Sequence, residues 1–300
     1  MGDDVMLVFS TLAALAASAG WAIGTVLAER PAQALGSFAF IRIQVTACSV
    51  ILFTLCSVLS LWSTVSLADW PNYAVSTSTL LMGLLCFTSC LRMGGPRRSE
   101  IIFALRAPIV AVLAFAWLGE ILSTVDIIGG ALCLLGVMVA VLAKDRQGGK
   151  GSTHTNVNPL FIGIGLLGVT CQGLSYLAVK PALESGTSPF AVSAIHLIGA
   201  AMIVSVIAQW PSTAIMPQSA LTPWLVFRTI LPGVIGYVLA SSALLYALAT
   251  SNAGVAAVLG SLAPVLVIPI QAARDRRAPR RTAVLGALLA VVGAAIIVVY

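Results

Sequence analysis

Charge is scarce in this chain. Of its 300 residues only 9% are Asp, Glu, Lys or Arg, against about 25% in soluble domains. So little charge cannot cover a water-facing surface, which excludes a soluble enzyme and a disordered chain. Histidine occurs twice, and the ten acids are scattered. No paired-carboxylate motif, HExxH, nucleophile elbow or Walker loop is present. An enzyme is therefore not expected, and a membrane-embedded one such as a lipid transferase is a remote alternative. The six cysteines (Cys48, Cys56, Cys86, Cys90, Cys133, Cys171) all lie in apolar runs and form no CxxC. That excludes a disulfide-knit secreted domain. Cys86 and Cys90 share a helix face, but no second pair stands near them to complete a zinc site. The cysteines read as packing residues, and no metal or cofactor is expected. The net charge of +6 comes from cations in short loops with no interleaved aromatics, so no nucleic-acid partner is expected. Met1-Gly2-Asp3-Asp4 has no basic n-region, so the first apolar run is expected to remain as a span.

What is abundant is long apolar sequence. Mean hydropathy is +1.04, and 59% of residues are hydrophobic. Runs such as 132–143 and 283–300 are unbroken rather than alternating, unlike β-barrel strands. At about 20 residues per crossing, the chain reads as an all-α polytopic membrane protein. Ten spans are expected, near 5–27, 35–59, 74–91, 101–118, 125–143, 160–179, 190–208, 224–248, 255–272 and 283–300. The longest hydrophilic stretch, 144–159, is rich in Gly, Ser, Thr and Asn and reads as a linker at the midpoint. The expected units are 1–146 and 159–300, joined by 147–158.

The two halves resemble each other. Leu27-Ala28-Glu29-Arg30-Pro31-Ala32 matches Leu177-Ala178-Val179-Lys180-Pro181-Ala182, and Gly36 matches Gly186 at the same offset. Arg106-Ala107-Pro108-Ile109-Val110 matches Leu262-Ala263-Pro264-Val265-Leu266, and Gly129 and Gly136 match Gly286 and Gly293. Five spans per copy is an odd number, so the second copy inserts upside down relative to the first. Ten helices as two inverted five-helix repeats around a central cavity is the architecture of many secondary transporters.

Loop cations set the expected orientation. Loops after the odd spans hold Arg30, Arg92, Arg97, Arg98, Lys144, Arg146, Lys150, Arg228, Arg274, Arg276, Arg277, Arg280 and Arg281, whereas the other side holds only Lys180. This bias places the odd loops in the cytoplasm of a cell whose inner membrane the chain spans, with both termini outside.

These features resemble the EamA-type branch of the drug/metabolite transporter superfamily. The carrying residues are Trp21-Ala22-Ile23-Gly24, Ile41-Arg42, Lys180-Pro181 and the block Ala107-Pro108, Trp117-Leu118-Gly119-Glu120, Ile128-Gly129-Gly130, Leu135-Gly136-Val137. The second copy keeps Ala263-Pro264, Leu285-Gly286 and Val292-Gly293, but Arg276 stands where the first has Glu120. The resemblance implies a ten-helix carrier of amino acids, metabolites, sugar conjugates or drugs, often an exporter. Smaller relatives that extrude lipophilic cations use a glutamate inside span one. Residues 5–28 hold no acid here, which argues against that mechanism.

Ionisable groups within a bilayer are costly, so each is a functional candidate. Arg42 and Arg106 lie inside spans two and four. Both fit a basic cavity wall facing a carboxylate or phosphate, or snorkelling toward headgroups. His196, midway along span seven, fits proton relay or substrate contact, or a bond within the bundle. Lys180 and Glu184 suit an interfacial i,i+4 pair, and Glu120 a turn-fixing role. Trp21, Gln172, Tyr176, Tyr237, Ser241 and Tyr246 are the polar and aromatic candidates for substrate contact. Tyr237, Ser241 and Tyr246, at i, i+4 and i+9, are expected near one face. The glycine stripes of spans five and ten suit tight seams, within the monomer or between two copies. Gly163, Gly165 and Gly168 form a GxGxxG pattern inside a span and are expected to pack rather than bind a nucleotide.

The expected function is secondary transport of a small metabolite by alternating access. Export of an amino acid or related carboxylate-bearing solute suits the in-span cations, and efflux of a drug or amphiphile is the alternative. A proton is the default coupling ion, although no acid within the bilayer is evident, which leaves facilitated diffusion open. Besides the small-molecule substrate and the lipid bilayer no partner is implied, and a monomer and a homodimer fit equally.

Overall fold

In hydrocarbon every backbone N–H and C=O must find its partner inside the chain, which leaves only helices and closed barrels to span a membrane. The computed structural model describes residues 2–119, 123–142, 159–210, 215–251, 253–260, 262–275 and 281–299, and every regular element among them is helical. The α-helices are α1 (Gly2–Leu35), α2 (Ser37–Val58), α3 (Trp70–Ala104), α4 (Arg106–Leu118), α5 (Thr124–Leu142) and α6 (Pro159–Glu184), then α7 (Pro189–Ile207), α8 (Pro223–Gly233), α9 (Ser241–Thr250), α10 (Ala253–Gly260), α11 (Ala263–Asp275) and α12 (Arg281–Val299). A π-helical segment, Val234–Ala240, joins α8 to α9 without a break. The midpoint linker, Glu120 and Arg276 lie outside the described residues.

Six stretches are long and apolar enough to cross a membrane: Val8–Leu35, Ser37–Val58, Leu67–Pro96, Pro159–Glu184, Pro189–Ile207 and Pro223–Thr250. They coincide with expected spans one, two, three, six, seven and eight. Two helical stretches run past their expected ends. α1 continues through Glu29-Arg30-Pro31 to Leu35. α3 turns at Gly95, whose φ of 74° lies outside the helical region, and resumes as a short helix up to Ala104.

The expected fourth and ninth spans are each interrupted, and proline explains both interruptions. Pro108 has no N–H to offer the carbonyl of Ala104, and the helix breaks at Leu105. Pro264, its counterpart in the repeat, has none for Gly260, and α10 ends there before α11 begins.

Neither half folds around itself. α1 packs on the α8–α9 unit and on α10 and α11, while α3 packs on α6 and α7. α2 lies against α7, α4 against α6 and α10, and α5 against α12. Loops gather at two faces. At one, Gln218 N donates to Leu35 O at 3.2 Å and Arg92 Nη2 donates to Gln218 Oε1 at 2.8 Å. At the other, Ser188 N donates to Thr64 Oγ1 at 3.0 Å, and Lys180 Nζ donates to Ser251 O at 3.4 Å.

Small residues set the closest approaches. A Cβ on Gly165 would meet Ile102, and one on Gly168 would meet Cys86, so these two members of the GxGxxG pattern do pack helices together. Gly136 abuts the backbone of Ala290 and Gly286 O, placing the seam between spans five and ten inside one chain. Backbone atoms cannot step aside for a side chain. Gly136→Val is therefore expected to lower the melting temperature of the purified chain by roughly 3–10 °C. Gly163→Val, where a Cβ would meet nothing within 4 Å, should leave it unchanged.

Candidate functional site

Between the halves lies a cavity with about 90 Å³ open to the centres of water molecules, room for several waters. α1 contributes Trp21 and Thr25, α2 contributes Phe40 and Gln44, and α3 contributes Phe87, Glu100 and Phe103. α6 adds Gln172 and Tyr176, and the proline-bearing eighth span adds Tyr237 and Ser241. Arg106 enters from the first residue of α4.

Arg106 is only 7% exposed. A buried guanidinium needs partners that replace water, and three different helices supply them. Its Cζ lies 4.5 Å from the Trp21 ring centroid and 5.8 Å from that of Tyr176, positions where a cation is attracted to the π face. Nη1 donates to Gln172 Oε1 at 3.3 Å. Nη2 donates to Gly260 O at 3.2 Å. That carbonyl is free to accept because residue 264 is proline and cannot close the usual i→i−4 bond. Nε is buried and has no partner among the described residues. Helix-breaking chemistry in the second half thus anchors a cation from the first.

A carboxylate shares the cavity. Glu100 is 6% exposed, and its Oε1 accepts a hydrogen bond from Thr25 Oγ1 at 2.7 Å. This corrects the expectation that no acid lies within the bundle. In the sequence Glu100 follows Arg97-Arg98-Ser99 and sits one residue outside the fourth apolar run, so it reads as loop. The turn at Gly95 brings the following helical stretch back into the bundle and carries Glu100 with it. Two signals were available: its place six residues before Arg106, and its position at the edge of an apolar run.

Trp21, Arg106, Gln172, Tyr176, Tyr237 and Ser241 thus line one cavity. His196 does not reach it. His196 is 3% exposed and lines a smaller cavity that shares Tyr176, Tyr237 and Ser241 as walls. Its Nε2 lies 2.6 Å from Ser76 Oγ, which also donates to Ser175 O at 2.6 Å. Arg42 stands exposed on α2, away from the cavity. It is two residues, a turn of about 200°, from the cavity-lining Gln44. The expectation of a single face for Tyr237, Ser241 and Tyr246 needs correction too. Five residues from Ser241 to Tyr246 turn a helix by about 140°, and Tyr246 is 38% exposed on another face. Lys180 forms its pair with Glu184 at 3.7 Å, yet its side chain is buried while that of Glu184 is open. No group of three His, Cys, Asp or Glu residues suited to a metal occurs among the described residues.

Comparison with known proteins bears on the whole chain. The model of the EamA-like transporter family matches residues 8–142 and again 160–299. A solved crystal structure is similar in fold, with a TM-score of 0.77 at 16% identity, over 96% of this chain and 95% of that one. No curated protein matches the sequence.

Stacking of Arg106 on Trp21 predicts an energetic coupling. In a double-mutant cycle of Trp21→Leu and Arg106→Gln, followed by unfolding of the detergent-purified chain, the two losses should fall short of additivity by about 1–2 kcal/mol. Strict additivity would mean that the ring and the cation do not interact.

Proposed function

Because the chain belongs to the EamA-like transporter family, and so is a multi-pass membrane transporter of the drug/metabolite type, we propose that it is a secondary carrier of small carboxylate-bearing solutes such as amino acids. The buried, incompletely paired Arg106 guanidinium in the central cavity carries this reading. A solute carboxylate meets Arg106 and exchanges for the neutral acceptors Gln172 Oε1 and Gly260 O. Charge-assisted, bidentate pairing is stronger than either. Those two contacts tie α4 to α6 and α10, so their exchange loosens the junction between halves, and one half rocks against the other. Trp21, Tyr176, Tyr237 and Ser241 flank the solute in the cavity. Arg42, His196 and Tyr246 lie outside the solute's first contacts. His196, paired with Ser76, lines the smaller neighbouring cavity that shares Tyr176 and Tyr237 as walls.

The reading includes ten crossing helices in two inverted repeats, 1–146 and 159–300, with 147–158 as linker. Helix pairing supports it. Exchanging each span of one half for its counterpart leaves the pairs unchanged: one with eight becomes six with three, while two with seven, four with nine and five with ten map onto themselves. The proline breaks after Ala104 and after Gly260 fall at matching repeat positions. Loops after spans one, three and seven meet through Gln218, and those after spans two and six meet through Ser188. Motion of solute draws on a gradient, with the proton as default coupling ion and export as direction. Efflux of an apolar amphiphile is the second reading, favoured by Phe40, Phe87 and Phe103 in the wall.

Two measurements test this. In proteoliposomes, Arg106→Ala should lower amino-acid transport about 10–100-fold, the weight of one or two charge-assisted hydrogen bonds. Arg106→Lys should retain part of it. Transport unchanged by Arg106→Ala sinks the anion-site reading. In a cysteine-free background, cysteines at Thr64 and Ser188 should react with an impermeant maleimide added outside intact cells, whereas one at Gln218 should react only after lysis. Labelling of all three from one side would refute the proposed orientation.

A further inference from the structure

We propose that Glu100 is the second pole of the solute site, taking the cationic nitrogen of a dipolar solute whose anionic end lies on Arg106. The inference rests on the carrier reading above and narrows its solute to molecules with an ammonium and a carboxylate on one apolar body.

Both charges face the same cavity, and neither cancels the other by contact. The acceptors of Arg106 are Gln172 Oε1 and Gly260 O. The donor to Glu100 is Thr25 Oγ1, on Oε1 alone. A carboxylate has room for about four bonds, of which Thr25 supplies one. A carboxylate withdrawn from water without a cation in contact is costly. A purely structural role would be served as well by a glutamine, which can accept the same Thr25 bond. A fixed anion beside a fixed cation, in a wall that is otherwise largely aromatic and aliphatic, is instead the complement of a dipolar solute. Phe87 and Phe103, edge to face with centroids 4.8 Å apart, make the wall beside Glu100 apolar. The low polarity that they impose strengthens both charged contacts. An ammonium brings three N–H donors, enough to engage Oε2 while Thr25 keeps Oε1.

The test uses the full chain in lipid nanodiscs and three probes with the same isobutyl body: leucine, isopentylamine, which lacks the carboxylate, and isocaproate, which lacks the ammonium. Binding is read by calorimetry. The wild type should bind leucine tightest. Glu100→Gln should weaken leucine and isopentylamine tenfold or more and leave isocaproate within twofold. Arg106→Gln should do the reverse, weakening leucine and isocaproate only. Should Glu100→Gln fail to give a monodisperse chain that melts cooperatively, Glu100→Asp, which keeps the charge but draws it back by one methylene, should weaken leucine and isopentylamine and leave isocaproate within twofold, whereas a folding defect weakens all three probes alike. Equal loss of all three probes in a folded Glu100 variant, or leucine binding that Glu100→Gln does not change, overturns this assignment and leaves the Arg106 reading standing. A wild type that binds none of the probes overturns both. A wild type that binds isopentylamine tightest, with no response to Arg106→Gln, overturns the dipolar solute in favour of a cationic amphiphile.

Discussion

A guanidinium held out of water at the junction of two half-bundles sets the terms for everything around it. Left alone in a low-dielectric interior, Arg106 would be prohibitively unfavourable. It is tolerated because α1 gives a Trp21 ring, α6 gives Tyr176 and Gln172, and α10 gives a free carbonyl. These three helices come from both halves of the chain. The cation therefore bridges the two halves.

Proline makes this arrangement possible. Pro108 breaks the helix so that Arg106 begins a new one facing the cavity, and Pro264 leaves Gly260 O without an N–H to accept. The eighth span adds a different irregularity. Behind Pro232 the backbone widens into π-helix over Val234–Ala240, and Ser241 Oγ donates to Gly236 O at 3.1 Å. π-helical turns are frequent at functional sites, and this one carries Tyr237 to the cavity. Irregular backbone at membrane depth is tolerated where protein buries it or where it lines a cavity, and both conditions hold here.

Outside the cavity, small side chains do the joining. Lipid tails are as apolar as leucine, so no hydrophobic drive pulls helices together in a bilayer, and close backbone approach takes its place. Gly136 against Ala290, Gly83 against Gln172 and Gly20 against Ala240 mark such approaches. The second of these lies directly behind a cavity residue. Packing and site are therefore continuous: the glycine that lets α3 and α6 meet also lets Gln172 stand where Arg106 needs it.

Membrane residence, an all-helical bundle, internal duplication and the family were all legible in the linear chain. Each rests on local or periodic properties: hydropathy, the near absence of charge, and matched Pro and Gly positions at a steady offset. Six of the nine singled-out side chains share the cavity, since in-span polarity marks a residue that must find something other than lipid. The rest required three dimensions. Glu100, at the edge of an apolar run and beside Arg97-Arg98-Ser99, is drawn inward only by the Gly95 turn. Arg42 and Tyr246 carry the right chemistry on the wrong faces, and facing depends on which neighbour each helix meets. The bond from Arg106 to Gly260, 154 residues apart, depends on how the two halves dock. No pattern along the chain encodes such a contact, because it forms only when separate helices supply partners for one another's unmet groups.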